Sequence, residues 1–325
     1  VKLAVLFPGQ GSQAVGMARD FYDAYPVARE AFDAADKALG FSLTSIIFED
    51  PDAELTKTAI TQPAILTASV AIWRVLEGFE PNPAFFAGHS LGEYTALVAA
   101  GALAFEDAVN LVHLRGTYMQ EAVPIGEGAM AAVMGIDHSR LEEIVVEVDA
   151  AGTDADGNSF LVQIANFNSP EQTVISGTKH GVAAASEKLK AAGAKRVVEL
   201  NVSAPFHCAL MNPAADKLWP HLIATHFRKT EVPVIANKNA LPYPDEPETY
   251  AAILRDQITS PVRWVGGIRY MLRGGVDRMV EVGPGKVLRM LATKIERSLA
   301  AYNVDTVETL KAFLPVLTGE ASRQA

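Results

Sequence analysis

The sequence predicts an α/β fold in two parts. One is a large layered unit with a mainly parallel sheet; the other is a small ferredoxin-like βαββαβ unit set into it. Three observations predict this. Short apolar runs closed by glycine or proline turns alternate with segments of helical periodicity. One run, Phe85-Phe86-Ala87-Gly88, passes through a pinched turn straight into a helix, as in parallel α/β layers. Residues 128–203 hold strand, helix, strand, strand, helix and strand in that order, the split-βαβ pattern.

Lys2–Phe7 is a buried strand stopped by Pro8-Gly9. Helical periodicity follows over 18–39, broken once at Pro26, and again over 61–79, with Pro63 expected in the first turn where proline is tolerated. A strand over 83–88 leads through the serine turn to a helix over 91–103, then a helix over 105–123 ends before Pro124. The small unit reads as a strand over 129–136, a helix over 138–152, two strands over 159–168 and 172–177 joined at Ser169-Pro170, a helix over 179–193 and a strand over 195–203. About 75 residues suffice for such a unit. The expected division is therefore 1–127 with 204–325 for the large domain and 128–203 for the insert. Beyond it come a strand over 232–237, helices over 250–258 and 262–275, and a strand, turn and helix over 278–299. The closing residues 318–325 read as frayed.

A chain of 325 residues, 49% hydrophobic and 20% charged, can bury a full core without staples. Its single cysteine, Cys208, excludes an internal disulfide and suits a reducing compartment. The net charge of -10 disfavours a nucleic-acid partner. The N-terminal apolar run is too short for a signal peptide, and Thr95–Phe105 is too short to span a bilayer, so no membrane association and a cytoplasmic location are expected. Asp154–Asn158 lacks the spacing and closing glutamate of a calcium loop and reads as a polar turn.

Gly88-His89-Ser90-Leu91-Gly92 fits G-x-S-x-G, the nucleophile elbow, with a strand before it and a helix after it. Side chains flanking Ser90 would collide in so tight a turn, and the helix N-terminus favours developing negative charge, which makes the Leu91 amide a candidate oxyanion donor. The alternative is a structural turn that happens to carry a hydroxyl. A nucleophilic serine needs a base. Of seven histidines, His89 should project sideways, His113 lies inside a helix, and His138 and His180 start helices of the small unit. His221 and His226 are five apart, which is not one helical face, so no metal pair is expected. By elimination His207, in a loop after a strand, is the best candidate base. Cys208 beside it reads as a small buried residue.

Together, "FPGQGSQ", "TQPA", "GHSLGEY", "LRG", "SAPFH" and "EVGPGKVL", in this order, resemble malonyl-CoA:acyl carrier protein transacylases over nearly the whole chain. The resemblance implies an α/β-hydrolase-like large domain carrying a ferredoxin-like insert. It implies Ser90 as the nucleophile that takes the malonyl group and His207 as general base, oriented by the Gln257 backbone carbonyl. It implies the amides of Gln10 and Leu91 as oxyanion hole, and Arg115 as the holder of the free malonyl carboxylate. It assigns Gln62 no role. Malonyl differs from acetyl by one carboxylate, and a guanidinium fork matches that group in bidentate fashion. Phe206, before the histidine, should crowd an α-methyl. No metal or bound cofactor is expected, malonyl-CoA being a substrate; the partner is acyl carrier protein, and the chain is expected to be a monomer. Asp256, beside Gln257, is a weaker candidate to orient the histidine.

Glu281–Leu291 has a strand–glycine–helix turn with a lysine but lacks the P-loop pattern. Lys286, Arg289, Lys294 and Arg297 fall within an arc of about 140° at helical spacing, with Val287, Leu288, Leu291 and Ile295 on the other side. Lys286 and Arg289 are candidates to attract CoA phosphates or an acidic carrier. Three other readings use the same residues: a serine esterase, a malonyl transferase serving a polyketide carrier, and a carrier-binding module without catalysis.

Overall fold

The computed structural model describes residues 2–202 and 204–318. The larger sheet holds β1 (Leu3–Phe7), β2 (Phe85–Gly88), β7 (Val234–Ile235), β8 (Arg278–Val282) and β9 (Ala300–Val304) in the order β7-β2-β1-β8-β9. Every pairing in it is parallel. Its strands are short apolar runs because both faces are covered by helices. Phe7 pairs with Gly88 in register, so the loops after β1 and β2 leave the sheet side by side. Ligands gather at that carboxyl edge in open α/β sheets.

The second sheet is antiparallel and holds β3 (Gly128–Met134), β4 (Val162–Ser169), β5 (Gln172–Thr178) and β6 (Arg196–Glu199) in the order β4-β5-β3-β6. This is the ferredoxin-like arrangement that the order of elements over 128–203 predicts. Alternation along β3 divides its faces. Ala129, Ala131 and Val133 pack on the helices His138–Ala151 and Lys179–Ala191, while Met130 and Ala132 join the core of the larger unit.

Helix Thr58–Glu77 forms the centre of that core and is buried along nearly its whole length. It is long and apolar enough to cross a membrane by those two measures alone. It starts three residues before the expected 61, so Pro63 lies in its second turn and not its first. Proline has no N–H to give the carbonyl four residues back. That carbonyl, Ala59 O, is met instead by His113 Nδ1 at 2.8 Å from the neighbouring helix Phe105–Glu121. The helix expected to reach 103 stops at Ala99, where Gly101 takes φ 70 and the chain turns.

Among the described residues, three α-helices and one strand had no counterpart in the sequence reading: helices Leu43–Glu49, Asn212–Ala224 and Val307–Leu317, and edge strand β9. The helix expected through 299 is Val287–Ile295, which leaves Arg297 beyond its end. Asp154–Asn158 is a turn in which the Asp154 carboxylate accepts from the backbone N–H groups of Asp156 and Asn158. Residues 319–325, part of the expected frayed end, lie outside the described residues.

Candidate active site

Ser90 sits in the left-handed region at φ 54, between the end of β2 and the helix Gly92–Ala99. A non-glycine residue there is strained. The turn is so tight that a Cβ on Gly88 would stand 1.8 Å from the Gly92 carbonyl oxygen. One on Gly92 would stand 2.3 Å from the Phe7 carbonyl oxygen of β1. Asn237, just beyond β7, clasps the bend: its Oδ1 accepts from Ser90 N at 2.8 Å and its Nδ2 donates to Gly88 O at 2.7 Å.

His207 comes from a loop more than a hundred residues away and also takes φ 58. Its Nε2 lies 2.8 Å from Ser90 Oγ, and its Nδ1 lies 3.1 Å from the Gln257 backbone oxygen. A carbonyl can only accept, so the ring proton belongs on Nδ1 and Nε2 is left bare toward the serine. Burial and, after it, the nearby Arg115 charge push the imidazole down to about 3, so the ring is neutral at pH 7.

Arg115, on the helix Phe105–Glu121, is 1% exposed. Its Nη1 donates to Gln62 Oε1 at 2.7 Å, and its Nη2 to Gln257 Oε1 at 3.0 Å and Ser90 Oγ at 3.1 Å. All three acceptors are neutral. A buried cation whose hydrogen-bond partners carry no charge is costly alone and is suited to receive an anion. Its guanidinium also lies over the Tyr94 ring, 5.6 Å from the centroid.

These groups open on a cavity of about 460 Å³, lined among others by Gln10, Ser90, Leu91, Arg115, Phe206 and His207. Met130, Asn166 and Val174 of the small sheet wall its other side. Neither the Gln10 amide nor the Leu91 amide donates to an acceptor among the described residues, so both are available to a bound oxyanion. Gln10 is held in place by its side chain, whose Nε2 donates to Thr58 Oγ1 at 3.2 Å.

The structure therefore brings together Ser90, His207, Gln257, Gln10, Leu91, Arg115 and Phe206. It does not bring Asp256 to the histidine, because that carboxylate pairs with Lys238. Cys208 is buried and its Sγ donates to Pro205 O. His89 hydrogen-bonds Asn168 at 2.8 Å, with its ring against Trp264. Among the described residues no group of three or more His, Cys, Asp or Glu side chains could hold a metal ion.

Lys286 and Arg289 are exposed, but they do not form the continuous basic arc that helical spacing predicts. Lys286 caps the helix in a non-helical conformation, and Arg289 Nη1 is engaged by Asn303 at 2.8 Å. Val287 is 51% exposed at the cavity wall, and not on the buried side. The helix N-terminus itself is occupied by Glu281, whose Oε2 accepts from Arg289 N at 2.8 Å, which explains the turn without a phosphate. Burial raises this carboxyl to about 7.

Sequence reasoning left Gln62 without a role and passed over Asn237 and Glu93. A glutamine in an otherwise apolar helix and an asparagine directly after a strand are the only signals that could have found the first two.

A neutral base sets the pH dependence. Acylation by malonyl-pantetheine, which carries no phosphate to titrate, is expected to keep its kcat/KM from pH 7.5 down to about pH 5, without the fall near 6.5 of an ordinary imidazole. Stability follows the same group. Unfolded His207 binds a proton below about 6.5 that the folded ring refuses until about 3. Its contribution is thus complete above 6.5 and declines as pH falls through that window. Acid titration of His207→Gln should show a shallower loss of denaturant midpoint between pH 6.5 and 4.

A model of the acyl transferase domain family matches residues 5–312. The malonyl CoA-acyl carrier protein transacylase of Bacillus subtilis (strain 168) is 46% identical over 319 residues, covering 98% of each chain. The solved structure of the malonyl CoA-acyl carrier protein transacylase of Clostridium perfringens superposes with a TM-score of 0.93 at 37% identity, covering 99% of both chains. A malonyl-transacylase solved in complex with its type II PKS acyl-carrier protein gives 0.90 at 42% identity, covering 97% of this chain and 100% of that one. The chain belongs to the acyl transferase domain family, among its malonyl CoA-acyl carrier protein transacylases.

Proposed function

We propose that this protein moves a malonyl group from malonyl-CoA to the phosphopantetheine thiol of acyl carrier protein, in the cytoplasm and as a monomer, to supply fatty acid synthesis. The observation that carries the reading is one serine oxygen lying 2.8 Å from a bare imidazole nitrogen and 3.1 Å from a buried guanidinium. His207 Nε2 takes the Ser90 proton as Oγ bonds to the thioester carbonyl. The oxyanion rests on the Gln10 and Leu91 amides, each worth on the order of 3 kcal/mol. Collapse breaks the carbon–sulfur bond, and His207 returns the proton to the departing CoA thiolate. The carrier thiol then gives its proton to His207, attacks the malonyl ester, and Ser90 leaves with that proton. Arg115 pairs with the malonyl carboxylate throughout, and Phe206 bounds the α-carbon. No cofactor or metal takes part in these steps.

Intact mass after mixing with malonyl-CoA tests this. One malonyl adduct should appear and should move to holo acyl carrier protein on its addition. Release of free malonate without any carrier would favour an esterase instead.

Lys286 and Arg289 are exposed in the segment whose Val287 lines the cavity, and positive charge there would speed the approach of an acidic carrier. In the variant with Lys286→Glu and Arg289→Glu, the KM for carrier should rise by about tenfold at low salt and converge on the parent value at high salt. An unchanged KM at low salt would remove this role.

A further inference from the structure

Glu93 is fully buried three residues after Ser90, in the first turn of the helix Gly92–Ala99. Its partners all donate to it. The Asn237 backbone N–H reaches Oε2 at 3.1 Å, Gln257 Nε2 reaches Oε2 at 2.7 Å, and the Tyr243 hydroxyl reaches Oε1. The first two groups can only donate, and the tyrosine hydroxyl has no other acceptor among the described residues. Burial raises the carboxyl above its usual range, and the three donors and Arg115 draw it back.

The consequence falls on Gln257. Its amide has two orientations that differ by a half turn. In the one seen, Nε2 donates to Glu93 Oε2 and to Ser90 O at 2.9 Å, while Oε1 accepts from Arg115 Nη2 at 3.0 Å. Turned over, Oε1 would face a carboxylate and a carbonyl, and the NH2 would face a guanidinium. The carboxylate oxygen at position 93 shares with Ser90 O the anchoring of the NH2 end, which leaves Oε1 to Arg115.

The geometry points to Glu93 as a positioning residue that anchors the Gln257 amide and so holds Arg115 for a carboxylate-bearing acyl group. This rests on the malonyl-transfer reading. Glu93 itself touches neither Ser90 Oγ nor the cavity. Glu93→Ala removes the acceptor, so Gln257 Nε2 keeps only Ser90 O and the amide that meets Arg115 Nη2 loses one of its two anchors. Glu93→Gln is the conservative control: its Oε1 can take the place of Oε2 before Asn237 N–H and Gln257 Nε2, with its NH2 against the Tyr243 hydroxyl oxygen, which can accept.

The test is the ratio of kcat/KM for malonyl-CoA to that for acetyl-CoA, measured in the full chain with and without Arg115→Ala. Glu93→Ala is expected to lower the ratio at least fivefold alone and by less than twofold in the Arg115→Ala background, while Glu93→Gln keeps it within twofold of the parent. A role in stability alone would lower both substrates together and leave the ratio in place. Should Glu93→Ala not fold, Glu93→Asp, which retracts the carboxylate by one methylene, is read against the same limits. A Glu93→Ala ratio that moves less than fivefold, or falls as far without Arg115 as with it, overturns the assignment. Failure of the parent reading is distinct: it would show as no malonyl ester on the unaltered chain, whereas failure here leaves the ester in place with the ratio unmoved.

Discussion

Ser90→Ala is expected to form no malonyl adduct and to transfer malonyl at least about 10⁴-fold more slowly than the parent, since loss of a nucleophile that acts as a unit with its base removes most of the rate. The size of the effect follows from how many groups converge on one oxygen. Oγ gives its proton toward His207 and accepts from Arg115, and among the described residues no other hydroxyl is hydrogen-bonded to both. The fold should be unaffected, since alanine at φ 54 meets the same backbone cost as serine. Carrier and CoA binding should therefore survive, and single-turnover kinetics with radiolabelled malonyl-CoA would separate binding from chemistry. Transfer within tenfold of the parent would place the nucleophile elsewhere.

Gly88→Ala is expected to be the most damaging single methyl in the protein. A Cβ 1.8 Å from a backbone oxygen cannot be absorbed by a rotamer change, so β2 and the following helix must separate. That would break both Asn237 hydrogen bonds and strain the β1–β2 pairing. A loss of about 4 kcal/mol or more places it among the exceptional substitutions. Gly152→Ala is the matched comparison. It adds the same methyl at a glycine of φ 76 where the Cβ meets nothing within 4 Å. It should cost about 1–2 kcal/mol, the backbone penalty alone. Urea midpoints of the two variants, measured side by side, would check the difference.

Local chemistry made much of the fold readable. The elbow announces itself because its glycines, strand and helix are contiguous, and the small unit because each of its elements is bounded by a turn. Of the unread elements, Ala300–Val304 is a half-buried edge strand of mixed character and Leu43–Glu49 is under two turns long, whereas Val307–Leu317 carried a readable start in the Thr306 cap paired with Thr309. The site divides in the same way. Ser90 and Leu91 follow from a pentapeptide. Asn237, Tyr243 and Gln257 meet the elbow only through the crossing of distant segments, more than 140 residues along the chain. Gln62 and Arg115 lie on separate helices whose meeting no periodicity reveals. The basic arc failed for a related reason: spacing supplies an angle around a helix but not the residue at which that helix begins.

Gln257 reaches the imidazole through its main chain and the guanidinium through its side chain. Every amino acid carries the first of these contacts, and very few could supply the second. Position 257 therefore uncouples two heritable traits, so that turnover and choice of acyl group can drift apart there by single-codon changes.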